Sequence, residues 1–102
     1  MKSIVLSEFA AGRLLGTREV ALPIRDQVTA ALDAGETVAL HFAGTNPTQS
    51  FVDELVGVLV LERGESVLDH LVMKGCNEDT KAILHFVVGD RLDQLAERTA
   101  LA

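Results

Sequence analysis

The order in which two hydrophobic periods follow each other restricts the possible folds of this chain most strongly. Apolar residues in 17–35 recur at steps of three and four, which is typical of an amphipathic helix. In 36–44, Val38, Leu40 and Phe42 instead alternate with other residues, which is typical of a strand covered fully on one side only. A helix followed directly by a strand is the unit from which parallel sheets are built.

The ends of the first helix carry recognisable signals. Thr17 is a candidate N-cap, and Gly35 is a candidate stop at the C-terminal end. Pro23 lies inside the apolar pattern. We therefore expect either that the regular helix begins near Leu22, with proline in its first turn, or that it kinks at Pro23.

A second helix is predicted from NPTQSFVDELVGVLV, residues 46–60, where a polar, turn-like opening runs into apolar sequence. Asn46 and Gln49 have the spacing of a capping box, and Pro47 suits a first helical turn. The apolar residues spread over about half of the helix circumference or more, which is wider than one sheet face usually covers. Such a helix lies between neighbouring helices in the core, the interpretation we favour, or it exposes an apolar strip to a partner or a second copy.

Three further segments complete the order hairpin, helix, strand, helix, strand, helix. Residues 2–17 hold two short apolar runs separated by a glycine and are predicted to form a hairpin. Residues 66–75 are predicted to be a strand, and residues 76–88 a helix with Asn77 as its N-cap. Because the apolar face shifts at Gly89, the tail is predicted either to bend or to form a separate helix.

Strands joined through helices imply right-handed crossovers and parallel pairing. The predicted fold is therefore a small α/β domain spanning residues 1–102, with an N-terminal hairpin and a mixed, mainly parallel sheet. The hydrophobic content of 48% supports a chain of this length that buries its own core.

Charge and cysteine usage exclude several classes of function. The net charge is -6 and the basic residues are scattered, so nucleic acid is not expected as a partner. Cys76 is the one cysteine, which fits a reducing compartment. The N-terminus lacks the core of a signal peptide and no apolar run reaches membrane-spanning length. We therefore expect a cytoplasmic protein that does not enter membranes.

Enzymatic motifs are not found in the sequence. The histidines lie on separate predicted elements without metal-ligand spacing, so no metal site is predicted. Asp53 and Glu54 are adjacent on a helix and point about 100° apart, so they do not form a catalytic acid pair. GTNPTQS, residues 44–50, lacks the lysine of a phosphate-binding loop. We expect no catalytic residues and no cofactor.

Two short motifs resemble those of a known family. From GTREV through VALHFAGTNPTQSFVDELVG, the chain resembles STAS-like domains, relatives of the anti-sigma-factor antagonists. SFVDEL, residues 50–55, is the most specific match, and GTRE, residues 16–19, supports it. The resemblance implies the STAS-like fold and a non-enzymatic regulatory module that binds a protein partner, classically a histidine-kinase-type ATPase.

The resemblance also suggests where the partner binds. In the classical antagonists a serine or threonine at the start of this helix is phosphorylated, and Thr48 and Ser50 occupy that neighbourhood. The chain lacks the classical Asp-Ser-Ser-Gly quartet, and a histidine stands where the related strand often has aspartate. The residues expected to contact a partner are His41, Asn46, Gln49, Asp53 and Glu54.

Three alternatives remain at the level of the sequence. Thr48 and Ser50 are expected first of all to cap the helix, because hydroxyl groups satisfy free N–H groups there. A second possibility is a small enzyme or ligand-binding protein that uses a crevice bounded by His41, Asn46 and Thr48. The third is a self-associating domain, in which the apolar strip closes a homodimer.

Overall fold

The computed structural model describes the backbone of residues 1–101 and the side chains of residues 1–100. The strands are β1 (Lys2–Val5), β2 (Leu14–Leu15), β3 (Val38–His41), β4 (Asn46–Pro47) and β5 (Leu71–Lys74). The helices are α1 (Arg18–Asp33), α2 (Gln49–Val52), α3 (Val58–Arg63) and α4 (Glu78–Leu101). A π-helical turn, Asp53–Gly57, joins α2 to α3 without a break, and we call the whole of 49–63 the central helix. Two 3-10 turns occupy Leu6–Phe9 and Glu65–His70.

The main sheet is parallel and has the strand order β1-β3-β5. In its register Leu40 of β3 lies between Ile4 of β1 and Met73 of β5. β2 and β4 form a second, two-residue parallel pair. Helices connect β3 to its neighbours along the chain, so the predicted small α/β fold with parallel strands is confirmed.

The predicted N-terminal hairpin is wrong. β1 pairs with β3 and β2 pairs with β4, both in parallel, and the segment folds back on itself only through one antiparallel bridge between Ala11 and Leu14. A 3-10 turn follows β1 directly and places Leu6 in the core. Alternation of apolar residues identifies a strand but not its partner, and the four-residue β3 offers β1 a longer ladder than β2 does.

The first helix begins at Arg18 and continues through Pro23. The Thr17 hydroxyl accepts a hydrogen bond from the Val20 amide at 3.2 Å, so the predicted N-cap is confirmed. Pro23 lacks the N–H that would bond the Glu19 carbonyl, and both residues are exposed, where water can replace that donor. Gly35 follows the helix with φ +81°, as its predicted stop requires.

The central helix lies in the interior, as the favoured interpretation states. Its fully buried side chains are Phe51, Val52, Leu55, Val56, Leu59 and Val60. α1, α4 and the second 3-10 turn pack around it. The alternative of an exposed apolar strip on this helix is therefore wrong. β3 is also more enclosed than predicted, because Ala39 on its second face is buried with Val38 and Leu40.

In the second half of the chain, the boundaries of some elements differ from those predicted from the sequence. The strand predicted for 66–75 begins only at Leu71, because a 3-10 turn occupies Glu65–His70, a difference that short apolar alternation does not resolve. Asn77 caps α4 as predicted, with its Oδ1 accepting from the Thr80 amide at 2.8 Å. α4 runs through Gly89 as one helix, without a separate tail helix. Within residues 1–101, no helix combines the length and the apolar character needed to span a bilayer.

Candidate functional site

The two motifs that define the resemblance meet at the start of the central helix. The Thr48 hydroxyl donates to the Gly16 carbonyl at 3.0 Å and accepts from the Phe51 amide at 3.1 Å. The Thr48 amide donates to the Leu15 carbonyl at 2.9 Å. Thr48, one of the two hydroxyl residues predicted to cap the helix, is thus its N-cap and ties it to the segment before α1. Asn46 and Pro47, which the capping-box spacing placed at the helix start, lie instead in β4.

Asp53 and Glu54 are held by arginines of α1. Arg18 donates from Nη1 to Asp53 at 2.9 Å and to Glu54 at 3.2 Å. Arg25 donates from Nη1 to the Glu54 carboxylate at 3.1 Å and to its backbone carbonyl at 3.0 Å. The acidic side chains are only 14% and 18% exposed, so the arginines compensate for lost hydration.

Arg91 of α4 completes the pairing of Asp53. Its Nε and Nη2 donate to the two carboxylate oxygens of Asp53 at 2.8 Å and 2.7 Å, which is the bidentate geometry of strong arginine pairs. Hydrogen bonding to Arg91 holds the pKa of the Asp53 carboxyl below its usual range, against the opposing effect of burial, and Arg18 adds to the lowering. Asp53 is therefore an ionised carboxylate that joins α1, the central helix and α4.

Gly57 leaves room for this contact. A Cβ atom at Gly57 would collide with Asp53 Oδ1, lie 2.9 Å from Val87 Cγ1 and lie 3.2 Å from Arg91 Cγ. The π-helical turn runs from Asp53 to Gly57, so both residues belong to the same local widening of the helix. The small residue allows α4 to approach and lets Asp53 reach Arg91.

A cleft of about 230 Å³ opens beside this network, and we call it the Ser50 cleft. Gln49, Ser50 and Asp53 of the central helix form part of its wall, with Arg18 from α1. Phe86, Val87, Asp90, Arg91 and Gln94 of α4 form the rest. Phe86 is 59% exposed, which is unusual for an aromatic side chain. Arg91 Nη1 also donates to Gln94 at 3.0 Å, so the arginine is oriented on both sides.

The structure brings some of the predicted residues together and separates others. Gln49, Ser50 and Asp53 line the Ser50 cleft, and Glu54 belongs to the adjoining arginine network. Asn46 lines a different cleft, of about 440 Å³, with Pro47 and the first turns of α4. His41 ends β3 in register with Val5 and Lys74 and lines neither cleft.

Sequence reasoning missed Arg91, Arg25 and Phe86. One signal for the arginines was present: Asp53 and Glu54 have no basic residue three or four positions away on their own helix. Partly buried acids without local partners require cations from elsewhere in the chain. The exposure of Phe86 had no sequence signal, because it lies within an apolar stretch of α4.

Comparison with known proteins gives one family. Residues 21–81, more than half of the 102-residue chain, match the family model described as a STAS-like domain of unknown function (DUF4325). The matched region includes SFVDEL, residues 50–55, but not Arg18, Phe86 or Arg91. No curated protein and no solved structure matches the chain.

Proposed function

Since the chain belongs to the family of STAS-like domains of unknown function, we propose that it is a non-enzymatic regulatory module that binds a protein partner at the Ser50 cleft. One observation supports this proposal above the others. The hydroxyl of Ser50 and the exposed ring of Phe86 line the same cleft, with two oriented guanidinium groups. A modifiable residue and a binding surface therefore coincide.

The residues that line the cleft are of the types that bind a partner protein. An exposed aromatic residue beside arginine is the type of anchor that contributes most to protein–protein affinity. Gln49, Gln94 and Asp90 surround Phe86 with polar groups that can hydrogen-bond a partner's backbone or side chains. A cleft of about 230 Å³ is smaller than the usual pocket for a drug-sized molecule, which supports a macromolecular partner.

Between the two candidate phosphoacceptors, the contacts favour Ser50. The Thr48 hydroxyl already donates one hydrogen bond and accepts another, so its modification would break the helix cap. Ser50 is the second residue of the helix, is exposed and lines the cleft. A kinase can reach Ser50 without displacing a structural contact.

A phosphate on Ser50 would change the charge balance of the cleft. Arg18 and Arg91 line it together with Asp53 and Asp90, so two positive and two negative side chains now balance. Phosphorylation adds about 1.5 to 2 negative charges at neutral pH. The added charge competes with Asp53 for the arginines and repels an acidic partner surface, which gives partner binding a switch. The kinase that the family resemblance suggests is a histidine-kinase-type ATPase.

Absence of catalysis is part of the proposal, and the local chemistry supports it. Asp53 and Glu54 are occupied by arginines and do not converge on an open position where a proton could be transferred. Burial raises the pKa of the Cys76 thiol, which disfavours the thiolate that a nucleophile requires.

The single cysteine also supports a cytoplasmic location. A second copy of the chain would have to use a surface other than the buried central helix.

The test is a quantitative pull-down from an extract of the source cells, read by mass spectrometry with mapping of phosphorylated residues. Wild-type protein is compared with Ser50→Glu and with Ser66→Glu, a matched control on an exposed serine in the second 3-10 turn. We expect a protein that binds the wild type and the Ser66→Glu control but is lost from Ser50→Glu. Equal recovery by all three proteins, with Ser50 unmodified, would contradict the proposal.

A further inference from the structure

α4 carries a second surface that shares only the helix, and no residue, with the Ser50 cleft. An apolar groove of about 380 Å³ lies between β5 and α4. Its apolar lining comprises Leu68, Leu71, Met73, Leu84, Val88 and Leu92. β5 is the outermost strand of its sheet, so the β5–α4 groove lies at an open sheet edge, where proteins usually place a cover.

A ridge of residues spaced by four runs along α4 beside this groove. It consists of Lys81, His85, Gly89, Asp93 and Glu97, and we call it the charged ridge. All of these residues except the half-buried Gly89 are exposed, and His85 and Gly89 also line the groove. The ridge is basic on the N-terminal side of Gly89 and acidic on its C-terminal side.

We propose that a second copy of this chain docks on the β5–α4 groove, with the two α4 helices crossing antiparallel at Gly89. A two-fold axis at Gly89 places each ridge residue opposite the residue equally far on the other side of the glycine. His85 then faces Asp93 of the second copy, and Lys81 faces Glu97. The Lys81 ammonium group then meets the Glu97 carboxylate, and the His85 imidazole is placed to donate a hydrogen bond to the Asp93 carboxylate, so the arrangement is self-complementary.

The helix geometry is compatible with this crossing. Residues four apart form the ridges that pack in the commonest class of helix contacts, which cross at about 50°. Residues four apart are offset by about 40° around the helix axis, so the ridge winds slowly around α4. A partner helix that is inclined to α4 can follow this winding. Val88 and Leu92, next to the ridge, then supply apolar contact at the centre of the interface.

Gly89 has no evident role within one chain. A Cβ atom there would meet nothing within 4 Å, so the fold does not require a glycine, although glycine weakens the interior of a helix. At a helix crossing, the missing side chain lets two backbones approach closely. The second copy therefore accounts for a residue that the single chain leaves unexplained.

The ridge charges are also available for a partner. Within the described part of the chain, His85, Asp93 and Glu97 make no ion pair. Lys81 has one exposed contact with Glu78 at 3.4 Å, and such contacts contribute little. Charge complementarity with a second copy is thus not offset by the loss of strong internal pairs.

A charge-swap experiment tests both the dimer and its register. Sedimentation equilibrium is measured on the purified full chain over about 1 μM to about 1 mM, the range expected for a modest interface. The double variant Asp93→Lys/Glu97→Lys makes the ridge wholly basic, and Lys81→Glu/His85→Glu makes it wholly acidic. We expect the wild type to dimerise and each double variant to dimerise at least about tenfold more weakly, whereas their equimolar mixture forms a heterodimer.

A further variant tests the crossing point without altering charge. The Cβ atom introduced by Gly89→Gln meets no neighbour in the single chain, so we expect the fold to be retained, as circular dichroism will check, while the helix crossing is blocked. We expect this variant to be monomeric. Wild-type protein that is monomeric throughout, variants that dimerise like the wild type, or a mixture that does not form the heterodimer would each overturn the proposal. So would a monomeric wild type whose groove instead captures a different protein. None of these results bears on the Ser50 cleft.

Discussion

Gly57 leaves too little room for a single added methyl group. It would press on Asp53, Val87 and Arg91 simultaneously. We expect Gly57→Ala to lower the free energy of unfolding by about 1–3 kcal/mol, the usual cost of overpacking. Gly89→Ala is the matched control, because its methyl group meets no neighbour and should raise stability by about 0.5–1 kcal/mol. Urea unfolding at protein concentrations of about 1 μM measures both, and equal effects would contradict this account of Gly57.

The Asp53 carboxylate stabilises the folded chain through its pairs with Arg91 and Arg18. We expect Asp53→Asn to cost about 2 kcal/mol at pH 7, since it leaves Arg91 and Arg18 without their carboxylate. Asp33→Asn is the control: its pair with Arg63 is a single exposed contact, worth about 0–1 kcal/mol. Denaturant unfolding of the two variants compares them directly. Similar losses from both would show that the Asp53 network has no special role.

The same residue makes stability sensitive to acid. Because the pKa of Asp53 is lowered in the folded chain, the unfolded chain takes up the proton first as the pH falls below about 4. In that range the unfolded state binds more protons, so the free energy of unfolding falls with falling pH, and the contribution is complete above about pH 5. We expect the difference between wild type and Asp53→Asn to shrink between pH 5 and pH 3 in unfolding experiments. A constant difference over that range would contradict the assigned pKa shift.

At the scale of elements, the start of the central helix depends on Thr48 rather than on Ser50. Thr48→Val removes both the cap to Phe51 and the bond to Gly16, and we expect a loss of about 1–2 kcal/mol. Ser50→Ala removes an exposed hydroxyl and should change stability by less than about 0.5 kcal/mol. Thermal unfolding followed by circular dichroism distinguishes them. A larger loss at Ser50 would reverse the roles given to the two hydroxyls.

Sequence patterns predicted some features of the helices and strands but not others. Helix ends were predictable where a cap acts locally, as at Thr17 and Asn77, because the donor and the acceptor lie within one turn. Strand partners were not predictable from the sequence. β1 pairs with β3, more than thirty residues away, and the alternation of apolar residues carries no information about which distant strand is the partner.

The residues of the candidate site were likewise only partly predictable from the sequence. Ser50 and Gln49 were recognised from the SFVDEL resemblance and the helix start. Arg91 and Phe86 come from α4, which the family model barely reaches. Their place in the cleft follows from how α4 packs on the central helix at Gly57, and this is a tertiary contact.

At the scale of the whole molecule, one buried cluster extends from Ile4 in β1 to Val87 in α4. We therefore propose that residues 1–102 unfold as a single domain. Calorimetry should give one transition with equal calorimetric and van't Hoff enthalpies, of about 70 kcal/mol near 60 °C for a chain of this length. Two transitions, or a van't Hoff enthalpy well below the calorimetric one, would show independent units.

Titration calorimetry with the purified partner measures whether the Ser50 cleft is the binding site. Wild type, Ser50→Glu, Phe86→Ala and the control Ser66→Glu are each titrated under identical conditions. We expect at least about tenfold weaker binding for Ser50→Glu and for Phe86→Ala, with Ser66→Glu unchanged. Equal affinities for all four proteins would place the partner elsewhere and contradict the Ser50 cleft as the binding site.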